Sequence, residues 1–456
     1  MRLISSSPKL PRRHLLILPP LLLLAIVYFC LNRREGFGSS SSLRGGSKLA
    51  STHLPSKFWQ SFAPVLEATA PKCPPPVAPR NATASSTHLD ASHKVLNMST
   101  ADIACLHRSH ALFVDLINFG APRLEFKKGT KGLATLATKS GFPVLLINLF
   151  MLRRTSSSLP LEVFLETEDE YEPDMCEVVL PRWNATCIVL SSLLGTTKHN
   201  LQIVGTQLWG FALLFSSFES VLFLGSGSFL TRSPDELFDS KAFAKTGLVL
   251  WPSKEVSLIP RQESQIFGMG DGITSDLSAI DHRQILISKK HHTNVLSLVA
   301  YYSIYNAYYG PLMSELRIVS LAAVVMTKPF YQIDHLPHQL GATSATSAIL
   351  QFDPASDFNC TFPCRPEAMF IHTNWLSPES GLMTTMGILE RFWGSEEESR
   401  SLYSQDIEAS AWGSVTSALC NSEMVFHDWE VCHKARMRLS YVFGSSQMND
   451  YGGNES

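Results

Sequence analysis

Hydrophobic and polar positions divide the chain into unlike stretches. Between Leu15 and Leu31 lies an apolar run of about 17 residues, the lower limit for a helix that spans a bilayer. Residues 32 to about 120 show little sustained periodicity; they are rich in Ser, Gly, Pro and Ala and include Lys72-Cys73-Pro74-Pro75-Pro76. That composition reads mostly as a stem, with a short helix around Ala101 to Asn118 packing on the main domain. From about Lys128 the pattern changes. Phe142 to Arg153 and Gln207 to Phe218 carry helix patterns. Leu161 to Glu166, Cys187 to Leu190, Val221 to Leu224, Gly247 to Trp251 and Gln284 to Ser288 read as strands, the last leading into a helix through Tyr301. Buried strands separated by amphipathic helices predict an α/β domain with a mainly parallel, Rossmann-like sheet and helices on both faces. The expected organisation is a tail 1–14, a span 15–31, a stem 32–122, an α/β domain 123–392 and a polar C-terminal extension 393–456.

Charge around the apolar run sets its direction. Arg2, Lys9, Arg12 and Arg13 precede it and Arg33 and Arg34 come after, so the excess before the run predicts a cytosolic N-terminus. The run is then a signal anchor, with the rest of the chain in the lumen. A cleaved signal peptide is the alternative, although the exit through Tyr28-Phe29-Cys30-Leu31-Asn32 offers no small-x-small cleavage site. Both readings lead into the secretory pathway. Five Asn-x-Ser/Thr sequons, at Asn81, Asn97, Asn184, Asn359 and Asn454, agree with it. So do the eight cysteines beyond Cys30, for which Cys176 with Cys187, Cys360 with Cys364, and Cys420 with Cys432 are local candidate pairs. Hydrophobic content of 45% and charged content of 17% fit a sizeable core, and a net charge of −2 gives no footprint for nucleic acid.

The strand Val221 to Leu224 ends in the polar turn Gly225-Ser226-Gly227-Ser228. Ligands of α/β sheets bind beyond the carboxyl ends of such strands. A Gly-x-Gly turn can cradle phosphate with backbone N–H groups, though alone it is a weak signal.

Several blocks around this strand carry a resemblance. Met151-Leu152-Arg153-Arg154-Thr155 leads into Leu159-Pro160-Leu161-Glu162-Val163-Phe164, then Glu170-Tyr171-Glu172-Pro173 and Cys176-Glu177-Val178-Val179-Leu180-Pro181. Ser233-Pro234-Asp235-Glu236-Leu237-Phe238 and Thr246-Gly247-Leu248-Val249-Leu250-Trp251-Pro252 come next, with Tyr308-Tyr309-Gly310-Pro311-Leu312 and Phe370-Ile371-His372-Thr373-Asn374 later. In this order, over roughly residues 128 to 376, the chain resembles the fungal Golgi α-mannosyltransferases of glycosyltransferase family 71. The resemblance implies a GT-A type nucleotide-diphospho-sugar transferase fold, a Rossmann-like mixed sheet with helices on both faces, and GDP-mannose as donor. It also implies a mannan or N-glycan acceptor, anomer-retaining transfer that depends on Mn2+, a type II protein of the Golgi membrane and possible partner mannosyltransferases. It places donor-binding candidates at Gly132, Gly225, Ser226, Gly227, Ser228, Asp281, Gln284 and Asn374.

Departures from the family concentrate at its site. The Asp-x-Asp that would hold the metal falls on Gly225 and Gly227, and a Glu-Ser-Gly-Gln segment becomes Asp281-His282-Arg283-Gln284. A Gly-Asp-Lys-Glu-Thr-Phe block is missing where Ser314-Glu315-Leu316-Arg317 stands nearby, and Ser253 to Ala279 matches nothing. A metal neutralises the departing diphosphate, so losing both acids costs several kcal/mol of transition-state stabilisation. Three substitutes present themselves: His372 as a ligand; Asp271, Asp276 or Asp281 from the unmatched segment; or Arg283, Lys289 or Lys290 as replacement charge. A catalytically inactive homologue that binds glycans or stabilises partners is the competing expectation. The acidic run Glu166 to Asp174 reads as a solvated loop. Tyr301, Tyr302, Tyr305, Tyr308 and Tyr309 read as core packing rather than sugar stacking.

Overall fold

The computed structural model describes residues 53–77, 96–120, 122–194, 205–255, 262–269, 277–313, 315–341, 347–360, 364–373, 388–420 and 429–444. The expected span Leu15 to Leu31 lies outside them, as do Asp271, Asp276 and Asn374. Among the described residues no helix is long and apolar enough to cross a membrane.

Two helices, α1 (His53–Ala68) and α2 (Thr100–Gly120), precede strand β1 (Lys127–Leu136). Helix α3 (Phe142–Arg154) is next, started by the Thr138 hydroxyl accepting the Gly141 N–H and by Pro143 in its first turn. Then come β2 (Leu161–Leu165), β3 (Ala185–Val189), α4 (Leu208–Phe215), β4 (Phe218–Leu224), β5 (Ser228–Leu230), β6 (Leu248–Pro252) and β7 (Ile280–Ser288). Helices α5 (Lys289–Ile304) and α6 (Ile318–Val325) lead to β8 (Tyr331–Gln332), β9 (His338–Leu340), β10 (Ala348–Phe352) and β11 (Ala368–Thr373). Helices α7 (Ile407–Leu419) and α8 (Trp429–Phe443) close the described chain.

The main sheet has seven strands in the order β3-β2-β1-β4-β7-β6-β8. Strands β3, β2, β1 and β4 run parallel, but β7 is antiparallel to both β4 and β6. The sheet is therefore mixed, as the family resemblance implies, where strand periodicity alone reads as mainly parallel. A second sheet, β5-β11-β10-β9, is antiparallel throughout and takes its first strand directly from the turn after β4. Alternation along β4 divides the interior. Val221 and Phe223 join the core under α1, α2, α4, α5 and α6, while Leu222 and Leu224 join the core that holds α3 and α7.

Three expectations are corrected here. The helix pattern Gln207 to Phe218 stops at Phe215, and Phe218 already belongs to β4. Ser216 turns extended, the buried Glu162 carboxylate accepts the Ser217 N–H at 3.0 Å, and the Phe218 ring fills the space beside Gly132. Second, the segment read as stem contains α1, whose Phe58, Trp59, Phe62 and Leu66 are buried. Trp59 meets Phe211 and Phe215 of α4 edge-on, and Phe62 meets Phe113 of α2. Third, the C-terminal extension supplies core. Trp412 of α7 is fully buried, Arg154 donates to Ser414 at 2.7 Å, and the buried Arg438 guanidinium stacks over Phe392 and Trp412 at 4.1 and 4.3 Å.

The three local cysteine pairs are formed as disulfides: Cys176–Cys187, Cys360–Cys364 and Cys420–Cys432. The tyrosines pack. Tyr301, Tyr302 and Tyr309 are buried, with Tyr301 bonded to Tyr309 and to the Thr69 carbonyl at the end of α1, and Tyr302 to His110.

Candidate functional site

The sheets meet at the carboxyl end of β4. Register pairs Leu224 with Gln284, so Gly225 lies beside Arg283, and the Gly225 N–H donates to the Arg283 carbonyl at 2.6 Å. A Cβ built on Gly225 would meet the Cα, Cβ and Cγ of Arg283 at 3.2 Å. Gly227 turns the chain into β5 with φ +74°, and a Cβ there would stand 2.9 Å from the Thr373 carbonyl oxygen. Both glycines are thus shaped by neighbours: one by a side chain, the other by backbone and a left-handed conformation. Ser226 between them is exposed, and the N–H groups of Ser226 and Gly227 have no acceptor among the described residues.

Asp281 is the hub of the cluster. Its carboxylate accepts from Arg283 Nε at 2.8 Å, Arg283 Nη2 at 2.7 Å and Gln351 Nε2 at 3.1 Å. Burial opposes its ionisation, but the facing His372 and the chelating Arg283 outweigh that and hold the carboxyl well below its usual range. His372 shares a 2.6 Å hydrogen bond with Ser228 through Nδ1, while Nε2 points toward Asp281 at 3.8 Å. Burial pushes His372 down to about 3, against the pull of Asp281 and with help from Arg283 and His282, so the imidazole is neutral.

The remaining candidates fall elsewhere or inward. Gly132 pairs with Val221 in mid-sheet, where its missing side chain makes room for the Phe218 ring 2.3 Å from a built Cβ. It is a packing glycine and not part of this cluster. Gln284 faces Leu224 with a wholly buried amide. Lys289 lies at the opposite end of β7, fully buried, donating to the carbonyls of Leu214 and Ser216; burial lowers it to about 7 despite Glu162. Lys290 is the next residue, so of the three replacement cations only Arg283 stands at the end of β4. The acidic run is largely exposed, with Glu170 and Glu172 meeting Lys139.

The described residues at the end of β4 do not fit Mn2+. Neither glycine supplies a carboxylate, Ser228 occupies His372 Nδ1, and Arg283 and Gln351 take the Asp281 oxygens. Among the described residues what remains is one nitrogen and one carboxylate oxygen 3.8 Å apart beside a guanidinium, too few ligands for a hard divalent cation. The His335, Cys360 and Cys364 cluster lies past the far end of β10, and its two cysteines are bonded to each other.

Both departures outside the turn have a structural role. Glu263 in the unmatched segment and Arg317 near the missing block form an ion pair at 2.8 Å with neither side chain exposed. Trp209 donates to the neighbouring Glu315 at 3.1 Å and stacks on His282. These partnerships join segments over fifty residues apart, and neither they nor Gln351 had a signal in local spacing.

A family model described as "Mannosyltransferase putative" matches residues 130–283, the block that ends at Arg283. The chain is similar to fungal mannosyltransferases. Alpha-1,2-mannosyltransferase MNN21 of Candida albicans is 25% identical, over 78% of this chain and 68% of that protein. Alpha-1,2-mannosyltransferase MNN2 of the same organism is 28% identical over 51% of this chain, which spans 49% of that relative's length. Among solved structures, the glycosyltransferase GlyE of Streptococcus pneumoniae superposes over 45% of each chain with a TM-score of 0.31 and 13% identity.

Proposed function

We propose that the protein transfers mannose from GDP-mannose to a mannosidic acceptor, an N-glycan outer chain or cell-wall mannan, in the Golgi lumen. The observation that carries this reading is the match over residues 130–283, which spans β1 to the β4 end and reaches Arg283. It is supported by the relatives that are α-1,2-mannosyltransferases. Disulfides and sequons agree with a lumenal site. In a retaining transfer the acceptor hydroxyl attacks the face from which the phosphate leaves, and the departing phosphate takes its proton. That route needs no protein nucleophile. What the chain must provide is a donor clamp at the Gly225–Gly227 turn. The test is incubation of the purified full chain with GDP-mannose and an α-mannobiose acceptor, with products read by mass spectrometry and α-1,2-mannosidase digestion. A mannosidase-sensitive trisaccharide is expected; donor binding and turnover both absent in folded protein overturn the reading.

A second reading has its own support. The turn carries glycine at both positions, with the Gly227 conformation and its Thr373 carbonyl neighbour disfavouring a side chain there, as in a homologue that has given up transfer and binds glycan or stabilises partner mannosyltransferases. In that case the folded protein binds mannan or an active partner without turning over GDP-mannose.

A further inference from the structure

We propose that the Gly225–Gly227 turn and Arg283 bind the diphosphate of the sugar donor directly, without a divalent metal. This deepens the reading just given and rests on it. Gly225 and Arg283 are a sterically matched pair. The stem of Arg283 passes 3.2 Å from the point where a side chain on residue 225 would begin, so a carboxylate there and an arginine here compete for one place. Glycine at 225 leaves the Arg283 stem in place beside the turn.

Three features give that cation the form of an anion site. The Arg283 side chain is 34% exposed whereas its Asp281 partner is 5% exposed, so the guanidinium reaches a ligand and the carboxylate does not. Asp281 engages Nε and Nη2, which fixes the plane of the guanidinium, and Nη1 has no partner among the described residues. Asp281 is therefore a positioning residue. In the turn that follows Gly225, the Ser226 and Gly227 N–H groups have no acceptor among the described residues, and left-handed Gly227 closes the turn. Successive free N–H groups at such a turn form a concavity for an anion. An oriented arginine adds bidentate recognition of phosphate oxygens and the positive charge that a leaving diphosphate requires.

The test is calorimetric titration of the full chain with GDP and with inorganic pyrophosphate, in EDTA and again in excess Mn2+. Both ligands are expected to bind in EDTA with little change on adding Mn2+, and Arg283→Gln is expected to weaken both by about tenfold or more, the loss of a charge-assisted contact. Arg283→Lys should recover part of it. Asp281→Asn should weaken binding in the parent but add nothing in the Arg283→Gln background, a non-additivity that a purely structural role does not produce. Thermal melts of each variant report folding separately. GDP binding that needs Mn2+ and survives Arg283→Gln overturns the arginine site while leaving the nucleotide-sugar reading intact. Pyrophosphate binding as tight as GDP upholds the arginine site and counts against a guanosine donor. Absence of both in a folded protein sinks the two together.

Discussion

The Cα, Cβ and Cγ of Arg283 all lie 3.2 Å from the position a Cβ on Gly225 would occupy. Restoring the family's acids is therefore not a simple repair. Gly225→Asp must push the arginine stem aside by a few tenths of an ångström. Gly227→Asp must hold φ near +74° and meets the Thr373 carbonyl, a left-handed strain worth about 1–2 kcal/mol. The double variant should unfold at lower urea than the parent, and Mn2+ should not raise its midpoint, since a cation bound to the native state would do so. A midpoint that rises with Mn2+ in the double variant would show that the turn still accepts the family's metal.

Acid sensitivity arises from the buried imidazoles. Burial pushes His110 and His372 down to about 3 and His292 to about 4, whereas in an unfolded chain each titrates at about 6.5. The sign is set by proton uptake. Between those values the unfolded chain binds protons that the folded chain refuses, so the stability these histidines contribute is full above about pH 6.5 and falls as pH drops toward 4 and 3. Each histidine contributes up to about 1.4 kcal/mol per pH unit in that window. Asp281, held low by its partners, adds a loss only at still lower pH. Urea midpoints between about pH 7 and about pH 5 should fall steeply, and His372→Asn should flatten the slope by one histidine's share. A midpoint independent of pH across that range contradicts neutral buried imidazoles.

Glu263 and Arg317 form an ion pair with neither side chain exposed. Arg317→Met takes the paired charge away from a buried carboxylate and should cost about 3–5 kcal/mol, while replacing both with apolar residues of similar volume should cost far less. Equilibrium unfolding of the two single variants and the double variant measures this directly. Equal, additive losses would mean that the pair is not the link between the segment around Glu263 and α6.

Much of the framework is legible in the chain because burial and periodicity coincide there. Val221 to Leu224, Leu161 to Leu165 and Phe142 to Arg154 are apolar runs of the right length between turn residues, and the structure keeps them. The short spacings that suggest three cysteine pairs also hold. Strand β7 hides its antiparallel direction because periodicity carries no sense of direction. Gly132 misleads because a glycine that admits a neighbouring ring looks the same in sequence as one that admits a phosphate. The hub at Asp281 is half legible: the acid and Arg283 are close in sequence, but Gln351 and His372 arrive from another sheet. In α1 the stripe Phe58, Phe62, Leu66 has helical spacing, obscured by flanking Ser, Gly and Pro.

That stripe yields the last prediction, on where the folded unit begins and ends. Trp59 sits against Phe211 and Phe215 beneath the sheet, and Trp412 is buried near the guanidinium of Arg438 on the other side. The two cores are anchored by segments that sequence composition assigns to a stem and an extension. Trp59→Ala and Trp412→Ala should each cost about 3–5 kcal/mol, the range for emptying a large aromatic site. Because the sites lie in different cores, the losses should add. A chain trimmed to residues 123–392 loses both and should expose apolar strand faces, aggregating on expression. Cooperative unfolding of that trimmed chain at the parent's urea midpoint would place both helices outside the folding unit, and the packing of Trp59 and Trp412 would then be docking onto a core that stands without them.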